Sequence, residues 1–168
     1  MSKISETERL ILRTLEPDDL DSVMNFWGDN EVMKYCGGSL EDKEIIAKAI
    51  NNYMNSQRER GFSAYAVILK KTDEVIGACG YNYTKNDSEI ELIYHFAKKH
   101  WGKGYATEAG RACIEYARKN LHIDKIIASV DPNHNSSRRI LEKLGFKYIG
   151  MKWFEDTKQD EPYFELDM

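Results

Sequence analysis

Two neighbouring stretches decide the fold: Glu89-Ile90-Glu91-Leu92-Ile93-Tyr94-His95-Phe96 and, just after it, Trp101-Gly102-Lys103-Gly104-Tyr105-Ala106-Thr107-Glu108-Ala109. In the first, Ile90, Leu92, Tyr94 and Phe96 alternate with Glu89, Glu91, Ile93 and His95. A strand therefore puts both glutamates on one face and the first four residues on the other. The second opens a helix over residues 105–120, whose stripe of Ala106, Ala109, Cys113 and Tyr116 is small enough to approach a sheet closely. Between strand and helix, Gly102 and Gly104 let the backbone turn tightly and come close to a ligand. The first N–H groups of a helix lack intrahelical partners and carry partial positive charge. Glycines at a helix start thus make an anion site, suited to a diphosphate, and Lys103 adds a positive charge. The spacing is not that of a P-loop. Nor is it G-x-G-x-x-G, because Thr107 takes the place of the third glycine. A plain glycine turn before an ordinary helix is the alternative reading of this loop taken alone.

Upstream, residues 9–13 predict a first strand. Pro17 is placed to open a helix carrying Leu20, Val23, Met24 and Trp27. A second helix is expected to start near Ser39, with Asp42 three residues on, and to bury Ile45, Ile46, Ala49, Ile50, Tyr53 and Met54 before Gly61. Residues 63–69 and 74–83 read as strands around the turn Thr72-Asp73. Downstream, residues 125–130 read as a strand. Asn135 or Ser136 caps a short helix with Ile140, Leu141 and Leu144 inside, and Gly145 fits the left-handed position after it. Residues 146–153 and 163–166 are closing strands joined by a polar loop over 155–162. The order β-α-α-β-β-β-α-β-α-β-β predicts an α/β (α+β) fold, a mixed sheet with helices on both faces, as a single domain over 1–168.

The composition closes off other classes. The 168 residues hold 24 Lys+Arg against 28 Asp+Glu, a formal charge of −4, with 42% hydrophobic residues. That suits a domain with its own core and opposes disorder. The acidic balance argues against a nucleic-acid binder. No stretch is long and apolar enough to span a bilayer, and the polar start lacks a signal-peptide core, so no membrane partner and a cytoplasmic location are expected. Cys36, Cys79 and Cys113 are scattered and odd in number, which makes a disulfide framework or a bound metal improbable. Oligomeric state, monomer or homodimer, is left open.

Glu91 to Phe96, the loop Trp101 to Ala106, Asp131-Pro132-Asn133-His134-Asn135-Ser136-Ser137 and Glu142-Lys143-Leu144-Gly145-Phe146 together resemble the GCN5-related N-acetyltransferases (GNAT). The start, Thr7-Glu8-Arg9-Leu10-Ile11-Leu12-Arg13, resembles the branch with the ribosomal-protein alanine/serine N-acetyltransferases. The resemblance implies the acyl-CoA N-acyltransferase fold, with a mostly antiparallel sheet, and acetyl-CoA as cosubstrate. It implies that the loop, here W-x-x-G-x-A with Trp101 where Gln or Arg is commonest, takes the pyrophosphate on backbone N–H groups of Trp101, Gly102, Lys103, Gly104, Tyr105, Ala106 and Thr107. The pantetheine arm would pair with Ile93, Tyr94, His95 and Phe96, a β-augmentation by a cofactor. The family's asparagine, three residues before a serine, falls on His134, between Asn133 and Asn135. Asn133, His134 and Asn135 all stay open as the cofactor contact, with Asn135 the first of them, and Lys143, with Arg138 and Arg139, is the implied partner for the 3′-phosphate.

Acetyl transfer from a thioester needs a neutral amine, a stabilised oxyanion and a leaving thiolate. A free α-amine has a pKa of about 8 and a lysine amine about 10.4, so a water-linked carboxylate could serve an α-amine. Glu91 falls on the family's frequent strand glutamate and is the candidate base or amine-orienting group; a salt-bridged surface glutamate is the alternative. A backbone N–H near Ile93 or Tyr94 is the candidate oxyanion donor. Ser137, or Ser136, is the implied proton donor to the thiolate; a helix-cap hydroxyl is the alternative. By the same resemblance, the two early helices and the late hairpin wall the acceptor groove. The expectation is an N-acetyltransferase for a primary amine, first a protein N-terminus, then a polyamine, amino acid or aminoglycoside. A non-catalytic acyl-CoA-binding regulatory domain is the rival, and a nucleotide-binding module, on which ATP would compete with CoA, a third reading.

Overall fold

The computed structural model describes residues 2–168. The first strand, β1 (Lys3–Glu6), pairs antiparallel with β2 (Leu10–Thr14). The sequence reading missed β1. It is four residues long, and neither of its faces is buried outright, so it gives no alternation to read; short charged strands of this kind suit a sheet edge. Pro17–Asp19 form a single 3-10 turn that leads into α1 (Leu20–Trp27). Arg13 on β2 holds that turn by a buried bidentate pair with Asp19, 2.8 Å on each oxygen.

The second helix, α2 (Lys43–Arg60), starts later than expected. Asp42 is its cap, accepting the Glu44 N–H at 2.8 Å, whereas the Ser39 hydroxyl bonds Asn30. The next three strands, β3 (Ala64–Leu69), β4 (Glu74–Tyr83) and β5 (Glu89–Phe96), form an antiparallel meander. Then follow α3 (Tyr105–Asn120), β6 (Lys125–Ser129), α4 (Asn135–Lys143), β7 (Lys147–Phe154) and β8 (Gln159–Asp167). The last strand begins four residues before the expected Tyr163, and the hairpin loop shrinks to residues 155–158. Gln159 and Glu161 read as loop because they are polar. Glu161 is nonetheless only 5% exposed, and the Gln159 amide donates to its carboxylate at 2.8 Å. The short helix α4 is preceded by His134, and neither Asn135 nor Ser136 caps it.

Among the described residues, eight strands form one sheet in the order β1-β2-β3-β4-β5-β6-β8-β7. Every pairing is antiparallel except β5 with β6, where α3 supplies the crossover that a parallel pair requires. That pair is short. It runs from Glu89 opposite Lys125 to Glu91 opposite Ile127, and then the strands diverge. Alternate peptide groups over 93–96 therefore point into a gap rather than at a neighbour. This splay in mid-sheet is what positions the site.

Each face of the sheet has its own apolar cluster. One holds Val23, Phe26 and Trp27 of α1 with Ile46 and Ile50 of α2, against Ala64, Ala66 and Ala78. The other holds Ala109, Cys113 and Ala117 of α3 with Leu141 of α4, against Tyr65, Tyr81, Ile90, Leu92 and Phe96. Ile93 packs on the first cluster and Tyr94 on the second, as the period-two reading of β5 requires. Cys79 and Cys113 meet in the second cluster as buried free thiols, Sγ to Sγ 3.7 Å.

Candidate active site

A cavity of about 850 Å³ occupies the splay. β5 contributes every residue from Glu91 to Phe96. The bend before α3 contributes Trp101, Gly102, Gly104, Tyr105, Ala106 and Thr107, and α4 contributes Ser136, Ser137, Arg139 and Lys143. Three expected contacts, Arg138, Lys103 and Asn135, lie outside this lining, Arg138 with its guanidinium beside Glu142 and over the Tyr148 ring. Lys103 turns its carbonyl to Arg9 behind the bend, and Asn135 sits beside the cavity while its neighbour His134 lines it.

The bend has the features an anion needs. Gly102 and Gly104 adopt φ of +76° and +82°, which L side chains rarely adopt, and no atom lies within 4 Å of where a Gly102 Cβ would stand. Gly104 caps α3 and so offers no side-chain acceptor. Among the described residues, no protein acceptor meets any backbone N–H from residues 102 to 107. Consecutive unpartnered amides at a helix start form a nest for negative oxygen. The Trp101 indole donates to the Phe96 carbonyl at 2.8 Å, tying the end of β5 to the bend. This gives the tryptophan a task unlike that of the polar residue it replaces. The residues present therefore fit a diphosphate carrier, held by amides of the bend, with the gap-facing peptide groups of 93–96 other than the Phe96 carbonyl open to an extended arm.

Glu91 stands in the same cavity, on the β5 face that carries Ile93 and His95. Asn82 donates to its Oε1 at 3.3 Å, and the Tyr53 hydroxyl donates to Asn82 at 2.7 Å. Burial pushes its carboxyl above the ordinary range, and Asp156 and Glu161 push it further against the opposing Asn82 bond. A carboxylate of raised basicity is a better acceptor of an ammonium proton. Glu89 does not line the cavity.

Ser137 is nearly buried, and its Oγ lies 2.7 Å from the Tyr94 hydroxyl, which is also 3.1 Å from the Ser137 carbonyl oxygen. Burial raises the Tyr94 phenol well above its usual value, so it stays a neutral O–H. Ser137 is thus neither a free surface hydroxyl nor a helix cap; it is half of a hydroxyl pair joining β5 to α4. His95 accepts the Trp27 indole N–H on Nδ1 at 3.2 Å. Burial, with His134 nearby, holds it down to about 4, so it is a neutral imidazole at working pH and a poor base. His134 stacks on Tyr35 at 4.7 Å, which brings the 35–37 loop against the start of α4.

Glu91, Asp131, Asp156 and Glu161 all line the cavity, and the Gln159 amide bridges Asp131 and Glu161 at 3.0 and 2.8 Å. Asp156 and Glu161 belong to the late hairpin expected to wall the acceptor groove, where acidic groups would attract a cationic amine. The sequence does not reveal Asn82, or the hydrogen bonds of Tyr53, Trp27 and the Tyr94 phenol, because those contacts are made between elements far apart in the chain.

With that geometry in place, comparison with known proteins decides the family. Residues 9–147 match the family model described as an acetyltransferase (GNAT) domain. The chain belongs to the GNAT acetyltransferases. Among its relatives is the uncharacterized N-acetyltransferase p20 of Bacillus licheniformis, 35% identical over 147 residues, 86% of this chain and 83% of that protein. The ribosomal protein uS5-alanine N-acetyltransferase of Escherichia coli is 24% identical, over 86% of this chain and 78% of its own. The crystal structure of a GNAT-family acetyltransferase from Bacillus anthracis superposes with a TM-score of 0.84 at 28% identity, covering 96% of each chain. The protein is accordingly an acetyl-CoA-dependent N-acetyltransferase of the GNAT fold.

Proposed function

We propose that this GNAT enzyme acetylates a primary amine on an acceptor that keeps a second positive charge, and that transfer is direct. The observation that carries this reading is the contrast within one cavity. Towards the bend lie unpartnered amides with Arg139 and Lys143; towards the late hairpin lie Glu91, Asp131, Asp156 and Glu161. Two imidazoles of the lining, His95 and His134, are both held below the ordinary histidine value by burial and so do not offset the four acids, while Lys152, opposite Glu161 on β7, turns its ammonium over the Tyr163 ring, outside the lining. Carboxylates stabilise a bound ammonium and oppose its deprotonation. A second cation on the acceptor would occupy this well while the reacting nitrogen gives up its proton to Glu91.

A small diamine or polyamine meets this need best, because Glu161 lies deep rather than on the surface. A protein N-terminus with a basic residue close behind it is the second reading, favoured by the relationship to the uS5-alanine enzyme. In either case a backbone N–H near Ile93 or Tyr94 would stabilise the oxyanion, and the Ser137–Tyr94 pair would donate to the departing thiolate, whose intrinsic pKa is about 8.5 by analogy with cysteine.

The test is thiol release from acetyl-CoA across mono- and diamines, polyamines, amino acids, aminoglycosides and alanine-starting peptides, with products identified by mass. The expected result is turnover of dications over matched monocations, with Glu161→Gln raising the acceptor KM about tenfold while the acetyl-CoA KM holds. Equal rates for monocations and dications contradict the charge reading. CoA binding without thiol release for any amine would instead make the protein a CoA-binding regulator. ATP displacing CoA would support a nucleotide module.

A further inference from the structure

Arg9 belongs to the opening segment Thr7-Glu8-Arg9-Leu10, and nothing in the acetyl-transfer chemistry uses it. It lies behind the 102–107 bend, outside the lining of the active-site cavity, in an adjoining groove of about 620 Å³ between β1 and α3 that shares Gly104, Thr107 and Lys143 with it. There its guanidinium Nη1 donates to the Lys103 carbonyl at 2.9 Å, and its Nε donates to Glu108 Oε1 at 2.8 Å. The plane also lies over the Tyr105 ring, 4.5 Å from the centroid. Glu108 is fixed in turn: its Oε2 accepts the Thr7 hydroxyl at 2.7 Å and the Arg9 amide at 3.1 Å. Burial pushes the Glu108 carboxyl up, but these bonds outweigh it and hold the group below its ordinary value, as an anion.

The consequence follows from peptide geometry. In a trans peptide the C=O and the N–H point in opposite directions. Fixing the Lys103 oxygen on Arg9 therefore aims the Gly104 N–H away from Arg9. A glycine-flanked bend has a second orientation open to it, with that peptide flipped and a carbonyl facing an incoming anion. Arg9 is not itself the counter-ion: Glu108 already neutralises it, and it does not line the active-site cavity.

We propose that Arg9, anchored by Glu108 and Thr7, is a positioning residue that locks the Lys103–Gly104 peptide in its anion-binding orientation, and so sets the enzyme's preference for donors that carry a diphosphate. The proposal rests on the reading that the bend grips the diphosphate of acetyl-CoA.

The experiment compares kcat/KM for acetyl-CoA with that for S-acetylpantetheine, which has the same thioester and arm but no diphosphate, in the wild type, Arg9→Met and Arg9→Lys. Methionine keeps a chain over Tyr105 and removes both donors; lysine restores a single donor. The expected result is an acetyl-CoA preference that falls about tenfold in Arg9→Met through the acetyl-CoA KM, partly recovered in Arg9→Lys. Loss of both activities in parallel would mean that Arg9 only supports the fold, and an unchanged preference would mean that the bend needs no lock; either overturns the proposal while the wild-type preference stands. A wild type that uses both donors equally well would instead overturn the diphosphate reading of the bend itself.

Discussion

Glu91 shows how one side chain is tuned by groups distant in sequence. Its place on the inner-strand face is legible from the alternation of β5, and so was its candidacy. Its raised pKa was not legible, because burial, Asp156 and Glu161 act on it only after β7 and β8 close over the cavity. The raised pKa has a definite cost. Between the unfolded and folded pKa the native state binds more protons than the unfolded chain, so stability falls as pH rises through that window. Glu91→Gln is therefore expected to melt higher than wild type at neutral pH, with the gap closing in acid below the usual carboxylate range. It should also lose about a hundredfold in kcat with little change in acetyl-CoA affinity. In the wild type the acid limb of the rate profile should lie above an ordinary glutamate, and it should vanish in the variant. An unaltered rate and profile would make Glu91 structural.

At the scale of elements, the joints between them carry the function. The Tyr94–Ser137 pair joins β5 to α4, and it predicts non-additivity. Tyr94→Phe and Ser137→Ala are each expected to lower kcat about tenfold, and the double variant to lose no more than the worse single one. Full additivity would separate the two hydroxyls. The Arg13–Asp19 pair joins β2 to the turn before α1, whose Trp27 reaches His95. Asp19→Ala leaves the buried Arg13 guanidinium with only Glu16, 4.0 Å away, as an ion-pair partner, an expected loss of about 3 kcal/mol, seen as a lower urea midpoint at unchanged slope. A loss below about 1 kcal/mol would show that the pair is dispensable.

The elements themselves were legible where period and punctuation agreed, as in α3 after Gly104 and in β3 to β5. They were misread where polar residues serve the interior. Gln159 and Glu161 looked like loop because their burial depends on each other, and β1 was invisible because an edge strand has no hidden face to mark it. Spacing from Ser137 falls on His134, between two asparagines of the expected residue type, and of the three only His134 lines the cavity.

Over the whole molecule, the sheet is antiparallel except at one short parallel pair, and the enzyme is built around that exception. The parallel crossover forces α3 to begin beside the end of β5, so free strand edge and free helix amides face the same space. The two apolar clusters cover the sheet's two faces, and the one under α3 and α4 spans both sides of the gap. Charge is sorted along the cavity as well, acids at the hairpin and amides with basic residues at the bend. A cavity so sorted predicts a salt effect: raising ionic strength from about 0.05 to 0.5 M should raise the KM of a dicationic acceptor more than that of a monocation. Equal responses would contradict the acidic well. This sorting could not be read from a chain whose net charge is only −4.

The central claim is that unpartnered amides of residues 102–107 hold the diphosphate of acetyl-CoA. A crystal structure of the protein with CoA tests it most directly. The account predicts diphosphate oxygens within hydrogen-bonding distance of several of those amides, with the pantetheine arm running along 93–96. A diphosphate bound elsewhere, or held by side chains with these amides left free, would contradict it.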